Sequence, residues 1–216
     1  MGRRVVKSLE ELKELCQHEP VINIYEQEEF FWVELKAERG TYLKKVLKAL
    51  SFEKALNLME EWGFPRRILK NLQNTEKTEE LKMVLKAKDG ALLTGPAGTG
   101  KTHAACYAVA KNLMRREINC ACYISAVDIF DYTEMKVARE RVHDSKVILL
   151  DDVNAFMTDT QKNFVKEIIY HCYNQEKVLL LTSNLTRNDL FRVLTDEPIL
   201  SRLSTIKHIK FKGKDR

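Results

Sequence analysis

Apolar residues in the second half of the chain gather in short unbroken runs separated by longer stretches of mixed polarity. Ala91-Leu92-Leu93-Thr94, Cys120 to Ser125, Lys146 to Leu150, Val178 to Thr182 and the 206–211 segment are each of strand length. A run that does not alternate marks a strand buried on both faces. Lys101 to about Arg116, rich in alanine, and Asp128 to about His143 read as helices between them. Such alternation predicts a parallel sheet with helices on both faces and a ligand at the C-terminal ends of the strands.

The first fifty residues are patterned differently. Val21 to Tyr25 and Phe30 to Leu35, separated by Glu26-Gln27-Glu28-Glu29, predict two strands joined by a turn. Thr41 to Leu50 and Ser51 to Trp62 are predicted helical, with a break near Gly63-Phe64-Pro65, and Glu79 to Lys88 forms a helix ended by Asp89-Gly90. Phe30, Phe31 and Trp32 are consecutive, so in a strand they point to both faces. Core packing is the expected role, with stacking on single-stranded nucleic acid as the alternative.

Composition bounds the class. A chain of 216 residues with 44% hydrophobic content can bury one substantial core and a small appendage. Its apolar runs fall far short of the roughly 20 residues of a spanning helix, and Met1 to Lys7 leads into charged sequence instead of a signal-peptide core. The expectation is a cytoplasmic protein without a membrane partner. Cys16, Cys106, Cys120, Cys122 and Cys172 form no C-x-x-C, and no histidine spacing suits zinc, which points to core thiols in a reducing compartment. The five histidines are scattered and receive no chemical role. Net charge is +5, and Arg202, Lys207, Lys210, Lys212, Lys214 and Arg216 crowd the end against Asp215 alone. Such a tail either holds nucleic-acid phosphates or is a solvated terminus.

Gly95-Pro96-Ala97-Gly98-Thr99-Gly100-Lys101-Thr102 fits G-x-x-x-x-G-K-[ST] without substitution and lies between a predicted strand and a predicted helix. Glycines let backbone N–H groups and the helix N-terminus surround a phosphate. Lys101 would then contact the β- and γ-phosphates of ATP, and the Thr102 hydroxyl would ligate Mg²⁺. Lys146 to Asp152 is an apolar run ending in two acids. Asp151 would complete the Mg²⁺ shell and Asp152 would polarise an attacking water. Asn184, at the tip of the 178–182 strand, orients that water or simply forms a turn. Arg202, set between apolar residues near a predicted helix end, makes a local ion pair or reaches the γ-phosphate bound by a neighbouring subunit.

These stretches together resemble the AAA+ ATPases, and within them the bacterial helicase loaders of the DnaC and DnaI type and the IstB-type transposition ATPases. The likeness is carried by GKTHAA (100–105), LLDDV (149–153), QKNFVKEIIYHCYN (161–174), TSNL (182–185) and LSRL (200–203), and spans roughly 51–211. It implies an α/β fold with a five-stranded parallel sheet flanked by helices, preceded by a small N-terminal appendage. Residues 51–216 would form the ATPase domain, and residues 1–50 a partner-binding region that could also belong to the same compact unit. It also implies ATP hydrolysis between subunits of a homo-oligomer, with a replicative helicase and single-stranded DNA as partners. Two departures are visible. Only one short helical segment lies between Ser125 and Lys146, where loaders contact single-stranded DNA, and the chain continues only briefly past Arg202, so a C-terminal lid is expected to be truncated or absent. The alternatives are a transposition ATPase and a nucleotide-gated binding module with negligible hydrolysis.

Overall fold

The computed structural model describes residues 5–213. Met1 to Arg4, and Lys214, Asp215 and Arg216 of the basic tail, lie outside the described residues. The N-terminal part builds β1 (Val5–Val6), α1 (Leu9–Leu15), β2 (Val21–Glu26), β3 (Phe30–Ala37) and β4 (Gly40–Lys48). These strands form a separate sheet in the order β1-β4-β3-β2, antiparallel except for the β1–β4 pair. Ser8 caps α1 by accepting from Glu11 N–H, and Leu12 of that helix packs with Phe31, Val33, Leu35 and Val46 on one face of the sheet.

The helix expected over Thr41–Leu50 is a strand. Leu43, Val46, Leu47 and Leu50 have helical spacing, but β4 pairs with β3 in unbroken register from Ala37↔Gly40 to Phe30↔Leu47. That non-local ladder satisfies the backbone and buries Val46, and it outweighs a weak local preference. The strands expected at 21–25 and 30–35 form as β2 and β3, whereas α1 was not anticipated.

A helical stretch follows: α2 (Phe52–Glu61), capped by Ser51, then α3 (Arg66–Leu69), a 3₁₀ turn at Leu72–Asn74, and α4 (Glu79–Leu85), capped by Thr78. The core then alternates as its pattern requires: β5 (Gly90–Thr94), α5 (Lys101–Met114), β6 (Ala121–Ser125), α6 (Tyr132–Asp144), β7 (Val147–Asp151), α7 (Asp159–Asn174), β8 (Val178–Ser183), α8 (Arg187–Leu194), α9 (Glu197–Leu203) and β9 (Lys207–Lys210). All five strands are parallel, in the order β6-β7-β8-β5-β9. Side chains on its two faces feed separate cores. Leu92, Ile148, Leu150 and Leu181 join residues of α6, α7, α8 and α9, while Leu93, Leu149 and Leu180 join residues of α2, α4 and α5. Strand order jumps between β5 and β8, so β5 and β7 lie on either side of β8 and deliver their C-terminal ends to one crevice.

Candidate functional site

The crevice is built by three strand ends and one helix start. The segment from Gly95 to Gly100 leaves β5 and enters α5, with Pro96, Ala97 and Gly98 exposed at its tip. Thr99 donates to Pro96 O at 2.9 Å and tightens the loop. Gly100 stands at the N-cap of α5 with φ 86, a left-handed conformation with open space where a Cβ would be. Gly95 has φ 146, and a Cβ there would collide with the backbone oxygen of Phe211. Gly95→Ala is therefore expected to lower stability by about 1–3 kcal/mol, as a strained backbone does; an unchanged thermal midpoint would mean that the loop and β9 separate without cost.

Lys101 is 6% exposed. Its ammonium donates to Gly95 O at 2.8 Å, Pro96 O at 2.7 Å and Asn184 Oδ1 at 2.8 Å. Burial lowers its pKa, opposed by the charges of Asp151 and Asp152. Thr102, the next residue, donates to Asp151 Oδ1 at 2.7 Å. Asp151, 7% exposed at the end of β7, also accepts from Thr182 Oγ1 at 2.6 Å and from Tyr123 OH at 2.7 Å. Asp152 leaves the strand with φ 56, its N–H donating to Thr182 Oγ1 at 3.0 Å. Burial first, then the charge of Asp151, raises the Asp152 pKa above the usual carboxylate range. Asn184 Nδ2 donates to Asp152 Oδ1 at 3.1 Å, so one amide touches both Lys101 and Asp152.

Lys101, Thr102, Asp151, Asp152 and Asn184 thus share one hydrogen-bonded network. Arg202 is not part of it. It lies on α9 and lines a cleft with Lys88, Asp89, Glu176 and Val178, at the N-terminal ends of β5 and β8, away from the phosphate loop. Its guanidinium sits 4.6 Å from the Tyr170 ring centroid and 5.2 Å from that of Tyr173, and NH1 donates to Pro198 O at 2.7 Å. Nε is buried without a partner, and no ion pair involves Arg202 among the described residues.

Three contributors escaped the sequence reading. Tyr123 and Thr182 clamp Asp151 from the adjoining strands, and burial together with the Asp151 charge pushes the Tyr123 pKa up, so its hydroxyl stays a donor. A cleft of about 430 Å³ opens beside the loop, lined by Asn71, Asn74, Thr75, Thr99 and His103 among others, with Thr75 Oγ1 and His103 Nε2 2.7 Å apart. His103 lies in the GKTHAA stretch but was given no role, and Thr75 carries no local motif; only the packing of the 3₁₀ turn and α4 on α5 brings them together.

The donor set suits a nucleoside triphosphate with a hard divalent cation. A helix N-terminus and an ammonium face the phosphate position, a hydroxyl and a buried carboxylate 2.7 Å apart supply oxygen ligands, and the adjoining cleft has room for a base.

A model of the IstB-like ATP binding protein family matches residues 24–209. No curated protein matches the sequence. Among solved structures, the DnaC helicase loader superimposes with a TM-score of 0.54 at 19% identity, over 68% of this chain and 100% of that one. DnaI gives a TM-score of 0.50 at 16% identity, over 71% and 94%. AMPPCP-bound DnaA from Aquifex aeolicus gives 0.49 at 21% identity over 65% of this chain, which spans 49% of its length. At 19% and 16% identity, the DnaC and DnaI superpositions speak to the shared α/β fold alone.

Proposed function

The chain belongs to the IstB-like ATP-binding protein family, on a P-loop AAA+ fold, and from that premise we propose that it hydrolyses ATP between protomers to control assembly of a replication complex on DNA. The observation that carries the reading is the shared network of Lys101, Thr102, Asp151, Asp152 and Asn184, which joins a phosphate-binding group to a base candidate through one amide. Lys101 neutralises the β- and γ-phosphates, and the N-terminus of α5 cradles them. Thr102 and Asp151 would hold Mg²⁺, which when bound neutralises phosphate charge. Asp152, with its raised pKa, takes a proton from the attacking water, and Asn184 orients that water. Tyr123 and Thr182 keep the Asp151 carboxylate aimed at the metal position.

Arg202 completes the site of an adjacent protomer in an ATP-dependent homo-oligomer. Support comes from its distance from its own loop and from its lack of an ion pair among the described residues. Residues 1–50 form the partner-binding region and residues 51–216 the ATPase domain. The family resemblance supports a replicative helicase as partner, as the name of the DnaC helicase loader suggests. The cytoplasm is the setting, in keeping with five free thiols; among the described residues no helix is long and apolar enough to cross a membrane. A second reading, a transposition ATPase, is favoured by the match to the IstB-like model.

Complementation tests the shared site. Arg202→Ala and Lys101→Ala chains, each inactive alone, should regain activity when mixed, because random mixing leaves about a quarter of the boundaries with both groups intact. Rescue should grow with protein concentration. If mixed oligomers form by sedimentation yet stay inactive, Arg202 does not act across the boundary.

A further inference from the structure

α1 packs on one face of the four-stranded sheet, with Leu12 among Phe31, Val33, Leu35 and Val46. Phe31, 1% exposed, and Val33, Leu35 and Val46 point into that core, so the residues alternating with them point the other way. Across three strands the outward positions fall in register: Tyr25, Trp32 and Lys45 form one row, Asn23, Glu34 and Leu43 the next, and Phe30 pairs with Leu47. Tyr25 is 45% and Leu43 55% exposed, and Phe30, Trp32 and Leu47 are half-buried, each keeping part of its surface open. Tyr25, Phe30, Trp32, Leu43 and Leu47 belong to none of the buried clusters. Of the aromatic triplet, then, only Phe31 serves a core. Phe30 and Trp32 meet edge to face with centroids 5.6 Å apart, and Lys45 Nζ lies 4.0 Å from the Phe30 centroid and 5.9 Å from that of Trp32.

Charge on and around this face favours an anion. Three acids near the β2–β3 turn are already paired, Glu26 with Lys48, Glu28 with Lys54 and Glu29 with Arg116. Glu34 accepts from Tyr25 OH at 3.1 Å. Lys36 and Lys45 on the face have no ion pair among the described residues.

We propose that this face binds single-stranded DNA, with bases stacked on the exposed parts of Tyr25, Trp32 and Phe30 and phosphates met by Lys45 and Lys36. Aromatic platforms flanked by cations suit unpaired bases, whose ring faces a duplex keeps hidden. A protein partner fits less well, because it would desolvate Lys45 amid the rings, and lysine is depleted from the centres of protein interfaces. The commitment to DNA over RNA rests on the proposed function, an ATPase acting on DNA; Tyr25 holds the one carboxylate of the three paired rows, so no free carboxylate there greets a ribose 2′-hydroxyl. The surface lies outside the ATP-binding network and does not depend on turnover.

The test uses the full chain carrying Trp62→Phe, which leaves Trp32 as the sole tryptophan. Titration with an oligothymidylate should quench Trp32 fluorescence, and added salt should weaken the binding. Lys45→Glu and Tyr25→Ala, both at exposed positions, should each weaken binding about five-fold or more while circular dichroism stays unchanged. A duplex and an oligouridylate of equal length should bind at least about ten-fold more weakly. Absence of quenching, equal binding of duplex, or unchanged affinity in both variants overturns the proposal, and equal binding of the oligouridylate overturns the assignment to DNA. A concentration-dependent dimer abolished by Trp32→Ala would give the face to a second copy instead. Adding Lys101→Ala, which disables the ATP site, should leave quenching intact, so failure of the ATPase reading and failure of this one are seen separately.

Discussion

Asp152→Asn is expected to leave ATP bound while slowing its turnover at least about 100-fold, within the range of a lost general base. Asp152 holds φ 56, a left-handed conformation that asparagine adopts readily, so the backbone should not be strained. An asparagine oxygen can still accept from Asn184 Nδ2, and the Asp152 N–H bond to Thr182 is untouched. What disappears is the proton acceptor. Burial and the Asp151 charge raise the Asp152 pKa, and only the ionised form can take a proton. Turnover by the parent should therefore fall on acidification, starting at a higher pH than an ordinary carboxylate near 3.9 would give, whereas residual turnover by the variant should lack that dependence. Steady-state hydrolysis across pH, beside calorimetric ATP affinity, checks both halves. Hydrolysis at the parental rate would make Asp152 structural.

Lys101→Ala should abolish tight ATP binding. Lys101 as a residue is buried, and the three present acceptors of its ammonium, Gly95 O, Pro96 O and Asn184 Oδ1, mark the volume in which phosphate oxygens would compete for it. Hydrogen bonds to charged groups are worth about 1.5–3 kcal/mol each, so losing one or two weakens affinity at least about ten-fold. Lys101→Arg should not restore it, because a planar fork does not fit a space shaped for a point charge. Calorimetry with ATP is the measurement, with a thermal melt to show that the variant folds. Affinity equal to the parent would end the assignment of Lys101 to phosphate.

The glycine-rich turn from β5 into α5 was readable because its signal is local: spacing, glycines and flanking apolar runs lie within one stretch of sequence. The parallel strands were readable for a related reason, since burial on both faces leaves unbroken runs such as Val147–Asp151. Thr41–Leu50 was misread because Leu43, Val46, Leu47 and Leu50 fit a helical stripe as well as they fit β4, and only the ladder to β3 distinguishes the two. The Phe30–Trp32 triplet was ambiguous in a similar way. Alternation implied two faces, but the position of α1 determined which ring became core.

The sequence by itself determined the five parallel strands of the core and the glycine-rich turn between β5 and α5, because periodicity and motif spacing are properties of neighbours along the chain. It also brought Asp151, Asp152 and Asn184 to strand ends. Tertiary structure decided which groups meet: Tyr123 and Thr182 reach Asp151 from strands on either side, Asn184 bridges Lys101 and Asp152, and Arg202 packs on Tyr170 and Tyr173 away from its own loop. Each of these contacts joins segments remote in sequence. Their geometry follows from strand register and helix packing, which no local pattern encodes.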